Sequence, residues 1–204
     1  LIGKRIARLD TVKKTMGAQN YGIDVRLPGM LNAAIRDCPV FGGKVKGFNA
    51  ASIEKRPGVV KVIRVGDSAV AVVADTWWRA KTALEALAID WDLGANAQVS
   101  TDSMHQMLKE GLDAKQAVVG NARGDAPGAL AGAARKVEAV YAYPHLSHAP
   151  LEPMNATARW TPERCEVWVP TQNAEASLAA TAEAAGLPPA KCDVYQEYLG
   201  GGFG

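Results

Sequence analysis

The feature that most constrains this chain is a predicted strand, residues 192–198, that runs directly into a cluster of glycines. Gly200 to Gly202 are consecutive glycines, and Phe203 and Gly204 follow them. Glycine permits positive φ angles and has no β-carbon, so a ligand can lie against the backbone and be held by its N–H groups. We interpret the cluster as a ligand-binding loop, with a plain turn as the alternative. A phosphate-binding loop ranks last, because its lysine would have to lie beyond the loop.

The composition is that of an ordinary globular protein, since 48% of the 204 residues are hydrophobic and 22% are charged. The 23 basic and 21 acidic residues form no long runs, which argues against a nucleic-acid partner. No apolar run approaches the roughly 18 residues of a membrane span. Three cysteines without CxxC spacing predict neither a disulfide framework nor a zinc site. We expect Cys165 and Cys192 to pack in the core as free thiols.

Short strands and helices alternate in the first half of the chain, which is typical of an α+β unit. Two valine-rich runs, residues 59–65 and 69–74, are separated by Gly66 and Asp67 and predict a β-hairpin. Asp75 is the predicted N-cap of the helix that follows, because its short carboxylate can accept from free backbone N–H groups.

The pattern of predicted strands and helices changes from about residue 136 onwards. Asn173 is the predicted N-cap of a helix that ends at Gly186, before two prolines. Strands are predicted over residues 136–143, 155–160, 165–169 and 192–198, with a short strand near residue 118.

Several motifs precede the glycine loop in a specific order. Residues 148–158 have the sequence HAPLEPMNATA, and residues 171–173 have the sequence TQN. Near the start, residues 27–31 have the sequence LPGML, preceded by Asp10, Lys13, Gly17, Ala18, Tyr21 and Asp24. Together they resemble the molybdopterin-binding large subunits of the xanthine dehydrogenase and aldehyde oxidase family. The motifs are most similar to those of the isoquinoline 1-oxidoreductase β-subunit type. The resemblance is weakest between about residues 92 and 135.

The resemblance implies an α+β fold, in which an α/β hammerhead domain is followed by the beginning of a molybdopterin-binding α+β domain. We expect the hammerhead domain over residues 1–95, a linker and helical segment over 96–135, and a truncated N-terminal part of the molybdopterin-binding domain over 136–204. The chain begins at Leu1 and stops within the loop, so we interpret it as a fragment of a longer protein.

The cofactor-binding residues implied by the resemblance are Gln172, Gly201, Gly202, Phe203 and Gly204. The family's glycine loop lies against the molybdenum cofactor, and its TQN glutamine approaches the oxo group of the metal. A neutral amide can donate a hydrogen bond there without adding charge or becoming a ligand. The alternative for this glutamine is a bond to its own backbone before the helix.

Two further polar residues, His148 and Glu152, resemble a metal ligand and a general base. Neither has a partner at ligand spacing, and the glutamate precedes a proline in a rigid turn. We therefore expect structural hydrogen bonding for both residues.

The resemblance also implies an activity, in which an N-heterocycle or an aldehyde is oxidised with oxygen derived from water. The glutamate base of that reaction lies downstream in the family, so we assign no catalytic residue and no metal ligand here. The chain alone is expected to be inactive and to bind no molybdopterin by itself. Implied partners of the parent protein are a small iron–sulfur subunit with two 2Fe–2S clusters and, as a further candidate, a cytochrome. The alternative is a non-catalytic docking or scaffold relative that retains the hammerhead fold.

Overall fold

The computed structural model describes residues 2–203. The α-helices are α1 (Thr11–Thr15), α2 (Trp77–Ala86), α3 (Thr101–Gly111), α4 (Ala126–Ala131) and α5 (Ala174–Ala185). The strands are β1 (Asn32–Asp37), β2 (Lys44–Phe48), β3 (Val59–Val65), β4 (Ala69–Ala74), β5 (Ile89–Asp92), β6 (Thr157–Trp160), β7 (Cys165–Pro170) and β8 (Cys192–Glu197). This mixture confirms the predicted α+β class. None of the described helices has the length and hydrophobicity needed to cross a membrane.

Contacts divide the chain into two compact units, one formed by residues 29–145 and the other by residues 1–28 together with 146–204. The units group residues by contact and do not identify domains, so the domain boundaries near residues 95 and 135 stay a prediction.

The unit of residues 29–145 is built on an antiparallel sheet in the order β1-β4-β3. Its central strand, β4, is buried at nearly every position, and α2 contributes Ala80, Ala83 and Leu84 to the same core. The predicted hairpin of β3 and β4 is confirmed. A second, two-stranded sheet pairs β2 with β5.

Three local predictions in this unit are wrong. The N-cap of α2 is Thr76, whose side chain accepts from the backbone N–H of Arg79, while Asp75 forms an ion pair with the Arg79 side chain. Residues 136–143 form no strand, nor does the run near Val118. Their residue types favour strands, but a strand also needs a partner that accepts its backbone hydrogen bonds, and the side chain of Val137 is 84% exposed.

The other unit contains the sheet β6-β7-β8, in which β6 and β7 are antiparallel and β7 and β8 are parallel. Helix α5 connects the parallel pair. Asn173 caps it by accepting from the backbone N–H of Ala176 at 3.0 Å, and Gly186 ends it in the left-handed conformation with φ of 66°, which confirms both predictions.

The core of this unit is small. Cys165 and Cys192 are register partners in the parallel pair, and both are buried free thiols next to Ala182, which confirms their predicted packing. Burial raises the pKa of the Cys165 thiol. A raised thiol pKa keeps the sulfur protonated and unreactive at neutral pH.

Candidate functional site

The carboxyl ends of β7 and β8 lie side by side, because the two strands are parallel and their last paired residues are Pro170 and Glu197. Gln172 comes two residues after β7, and the glycine loop begins three residues after β8. A hydrogen bond of 2.8 Å from Gln196 Nε2 to the carbonyl of Thr171 joins these two strand ends. The structure thus brings the predicted glutamine and the predicted loop to one edge of the sheet. In parallel sheets, ligands bind outside the carboxyl ends of the strands.

The side chain of Gln172 is exposed at this edge. The helix that follows is capped by its neighbour Asn173, so the amide of Gln172 is not needed for the cap. An exposed amide can donate N–H groups to a ligand, and this role of Gln172 stays a prediction.

Gly200 is in close contact with Glu152. The backbone N–H of Gly200 donates to Glu152 Oε2 at 2.7 Å, and the backbone N–H of Glu152 donates to the carbonyl of Gly200 at 3.0 Å. A β-carbon added at Gly200 would overlap the Glu152 side chain and lie 2.7 Å from its Oε2. Glycine is required here by close approach within the chain itself.

Gly201 also lies close to other residues of the chain, whereas Gly202 and Phe203 are open. Gly201 has φ of +141°, and a β-carbon there would lie 2.9 Å from Pro150 Cβ. A β-carbon on Gly202 would have no atom within 4 Å, so its backbone faces open space. Phe203 is 81% exposed and has a left-handed φ of 57°, a conformation that costs a non-glycine residue about 1–2 kcal/mol. Gly204, the last predicted loop residue, lies outside the described residues.

Glu152 acts as a hydrogen-bond acceptor in the structure, and this confirms the prediction made for it. Besides Gly200, its carboxylate accepts from the backbone N–H of Ile23 at 2.9 Å and from Asn155 Nδ2 at 3.0 Å. His148 is exposed, and its predicted hydrogen bonding stays a prediction.

Sequence reasoning missed the contribution of the segment around Gly22. A 3₁₀ turn, Gly22–Asp24, packs against the end of β7, where a β-carbon on Gly22 would lie 2.5 Å from Pro170 Cγ. Tyr21 also forms a parallel β-bridge with Tyr198. The local sequence signal was a single glycine between Tyr21 and Ile23, and no local pattern could connect it to residues far along the chain.

An open cleft with a volume of about 580 Å³ lies beside the start of the glycine loop, and Gln172 is not part of its lining. It is lined in part by Lys14, Tyr21, Glu152, Gly200 and Gly201. The lysine is engaged locally, because its Nζ lies 2.6 Å from a carboxylate oxygen of Asp10 and, through that hydrogen bond, lowers the pKa of the aspartate. Within residues 2–203, no three metal-binding side chains cluster closely enough to hold an ion.

Comparison with known proteins relates part of this chain to a cofactor-binding domain. Residues 110–204 match the model of the molybdopterin cofactor-binding domain. A nicotinate dehydrogenase polypeptide of Pseudomonas putida is 26% identical, and the β-subunit of isoquinoline 1-oxidoreductase from Brevundimonas diminuta is 30% identical, each over all of this chain. The crystal structure of quinoline 2-oxidoreductase from Pseudomonas putida 86 shares the fold, with a TM-score of 0.69 and 20% identity over 100% of this chain and 31% of that chain.

The chain covers only part of these relatives, 18% of the nicotinate dehydrogenase polypeptide and 27% of the isoquinoline enzyme polypeptide. Both relatives are, by name, single subunits of enzymes that have more than one. The resemblance seen in the sequence motifs is thus confirmed: residues 110–204 match a molybdopterin cofactor-binding domain, and the whole chain is similar to subunits of the nicotinate and isoquinoline enzymes.

Proposed function

We propose that the carboxyl edge of β7 and β8 forms one wall of a molybdopterin site. The observation that supports this most directly is the parallel pairing of β7 and β8, because Gln172 and the glycine loop both follow carboxyl ends of parallel strands. Ligands of open α/β sheets bind outside such strand ends. Every other wall of the site would come from parts of the protein outside these residues.

The residues present fit such a cofactor. The open space beside Gly202 leaves its backbone accessible to a bulky ligand, and the exposed amide of Gln172 can donate hydrogen bonds without adding charge. Gly201, Gly202, Phe203 and Gly204 would hold the cofactor through the loop, and Gln172 would orient it from the neighbouring strand end. When bound, the molybdenum cofactor supplies the redox centre of the reaction.

The whole protein would oxidise an N-heterocycle or an aldehyde with oxygen derived from water. The names of the relatives, which include nicotinate and isoquinoline enzymes, support this substrate class. Its electrons would pass to a small iron–sulfur subunit with two 2Fe–2S clusters, or to a cytochrome. This chain alone would be inactive, because the catalytic glutamate would lie elsewhere.

The domain organisation belongs to the same proposal. Residues 1–95 would be the α/β hammerhead domain, residues 96–135 a linker and helical segment, and residues 136–204 the start of the cofactor domain. The sheet β1-β4-β3 with α2 across it is the α+β arrangement that such a first domain would have.

The proposal is tested by purifying the full-length protein with its partner subunits and measuring molybdenum and pterin per polypeptide. We expect one of each. An active enzyme that contains no molybdenum would overturn the proposal, and a folded protein that binds neither component would favour the docking or scaffold alternative.

Gln172→Ala sharpens the test at one residue. Groups around a bound metal centre typically contribute about 10–100-fold to affinity or activity, so turnover should fall within that range while molybdenum content changes less. Gln98→Ala is the matched control, because Gln98 is also exposed but lies outside the sheet edge. Equal activity in the two variants would remove Gln172 from the site.

A further inference from the structure

One carboxylate joins three parts of the unit that holds the glycine loop. Glu152 Oε1 accepts from the backbone N–H of Ile23, which lies 129 residues away in sequence. Its Oε2 accepts from the backbone N–H of Gly200, 48 residues away, at 2.7 Å. Because the Glu152 backbone N–H also donates to the Gly200 carbonyl, the loop is held at both backbone groups of one residue.

These bonds use the glutamate as an ionised acceptor. A carboxylate has no donor when ionised, and its bonds to N–H groups are charge-assisted and therefore stronger than neutral ones. Both oxygens are engaged by the protein, and the side chain is half-buried. The geometry is that of a fixed support and not of a free base.

Apolar contacts do little to hold the loop in place. Phe203 is 81% exposed and Leu151, next to the glutamate, is 95% exposed. A loop without an apolar anchor follows the path that its polar contacts set. At Gly200 these contacts are the two bonds to Glu152.

We propose that Glu152 is a positioning residue that fixes Gly200 and thereby directs the backbone of Gly201 to Phe203 toward the molybdopterin cofactor. This inference rests on the proposed function for its last step only. The hydrogen-bonded tether itself is independent of what the loop binds.

The variant that tests the tether is Glu152→Gln in the full-length protein. Glutamine keeps the length of the side chain but replaces one acceptor oxygen with an NH₂ group, so it loses the bond to Ile23 or to Gly200 whichever way it faces. Glu163→Gln is the matched control, since Glu163 is exposed in the β6–β7 turn.

Hydrogen–deuterium exchange, followed by mass spectrometry, measures the tether directly. Loss of a charge-assisted bond should speed exchange in the peptides that contain Ile23 and Gly200 by about tenfold or more. The Glu163→Gln protein should exchange as the wild type does. Unchanged exchange at both peptides in the Glu152→Gln protein would overturn the proposal.

The effect on the cofactor is measured by molybdenum content and by the electron paramagnetic resonance spectrum of the partly reduced protein. We expect about tenfold weaker retention of molybdenum and a shifted Mo(V) spectrum in the molecules that keep it. A faster-exchanging loop with a wild-type spectrum and wild-type molybdenum content would show that Glu152 supports the fold and does not position the cofactor.

A second variant covers the case in which Glu152→Gln does not fold. Glu152→Asp keeps the charge but shortens the reach by one carbon, so it should also speed loop exchange and shift the spectrum. A wild-type protein without molybdenum would refute the proposed function, whereas the exchange experiment would still decide whether the tether exists.

Discussion

The unit of residues 29–145 buries a continuous cluster of valine, alanine and leucine side chains, in which Val70 and Val72 are 0% exposed. In the unit that carries the glycine loop, the described core is limited to Cys165, Ala182 and Cys192 with a few half-buried neighbours. This second unit is held instead by backbone pairing and by the carboxylate of Glu152. In the unit that carries the glycine loop, the two bonds to Glu152 fix the position of Gly200.

The difference has a physical reason. Hydrophobic burial is strong but non-directional, so it stabilises a sheet without specifying the direction of individual N–H groups. Hydrogen bonds to a carboxylate contribute less but depend on direction. A loop that must present its backbone to a cofactor needs the directional contacts.

The largest effect on stability is expected from a substitution in the apolar core of residues 29–145. Leu84→Ala removes a side chain that is 4% exposed and should destabilise the protein by about 2–5 kcal/mol. Leu108→Ala is the control, since Leu108 is also on a helix but is 56% exposed, and it should cost less than about 0.5 kcal/mol. Urea denaturation followed by circular dichroism measures both, and equal midpoints would contradict the assigned core.

An intermediate effect is expected for Gly200→Ala, which forces a β-carbon into the Glu152 side chain. Overpacking of this kind typically costs about 1–3 kcal/mol, so the urea midpoint should fall. Gly202→Ala introduces the same methyl group into open space and should leave the midpoint nearly unchanged. If Gly202→Ala were the more destabilising of the two, the assignment of Gly200 to internal packing would be wrong.

The smallest expected effect is on the loss of stability at acidic pH. A hydrogen bond from Arg159 lowers the pKa of Glu166, and Tyr195 adds a further hydrogen bond. A carboxyl whose pKa is depressed on folding stabilises the protein above its unfolded pKa, and this contribution is lost as the pH falls through its folded pKa. Arg159→Gln should therefore raise the Glu166 pKa and reduce the loss of stability on acidification.

Carboxyl NMR of Glu166 and unfolding midpoints between about pH 6 and pH 3 measure this change. The effect on stability should be small, because the pair lies near solvent. Arg123→Gln, which alters an exposed arginine in the other unit, should leave the Glu166 titration as it is. A pKa that does not respond to Arg159→Gln would show that the ion pair does not form in solution.

The sequence alone was sufficient to predict an element wherever the residues that determine it are neighbours in the chain. The β3–β4 hairpin follows from two valine-rich runs around a short turn, and the ends of α5 follow from Asn173 and Gly186. The order of the motifs was sufficient to predict the resemblance to molybdopterin-binding proteins, which the match of residues 110–204 confirms. The strand predicted over residues 136–143 is absent for a related reason. Its residues favour a strand, but a partner strand is not a property of the local sequence.

The candidate site could be predicted only in part from the sequence. The sequence singled out Gln172 and the glycines, but only the tertiary structure shows that β7 and β8 are parallel and deliver them to the same edge. It also decides that Glu152 links Ile23 to Gly200, because these residues are separated from it by 129 and 48 positions. Periodicity and capping patterns report contacts within a few residues, whereas a tether between distant segments exists only once the chain has folded.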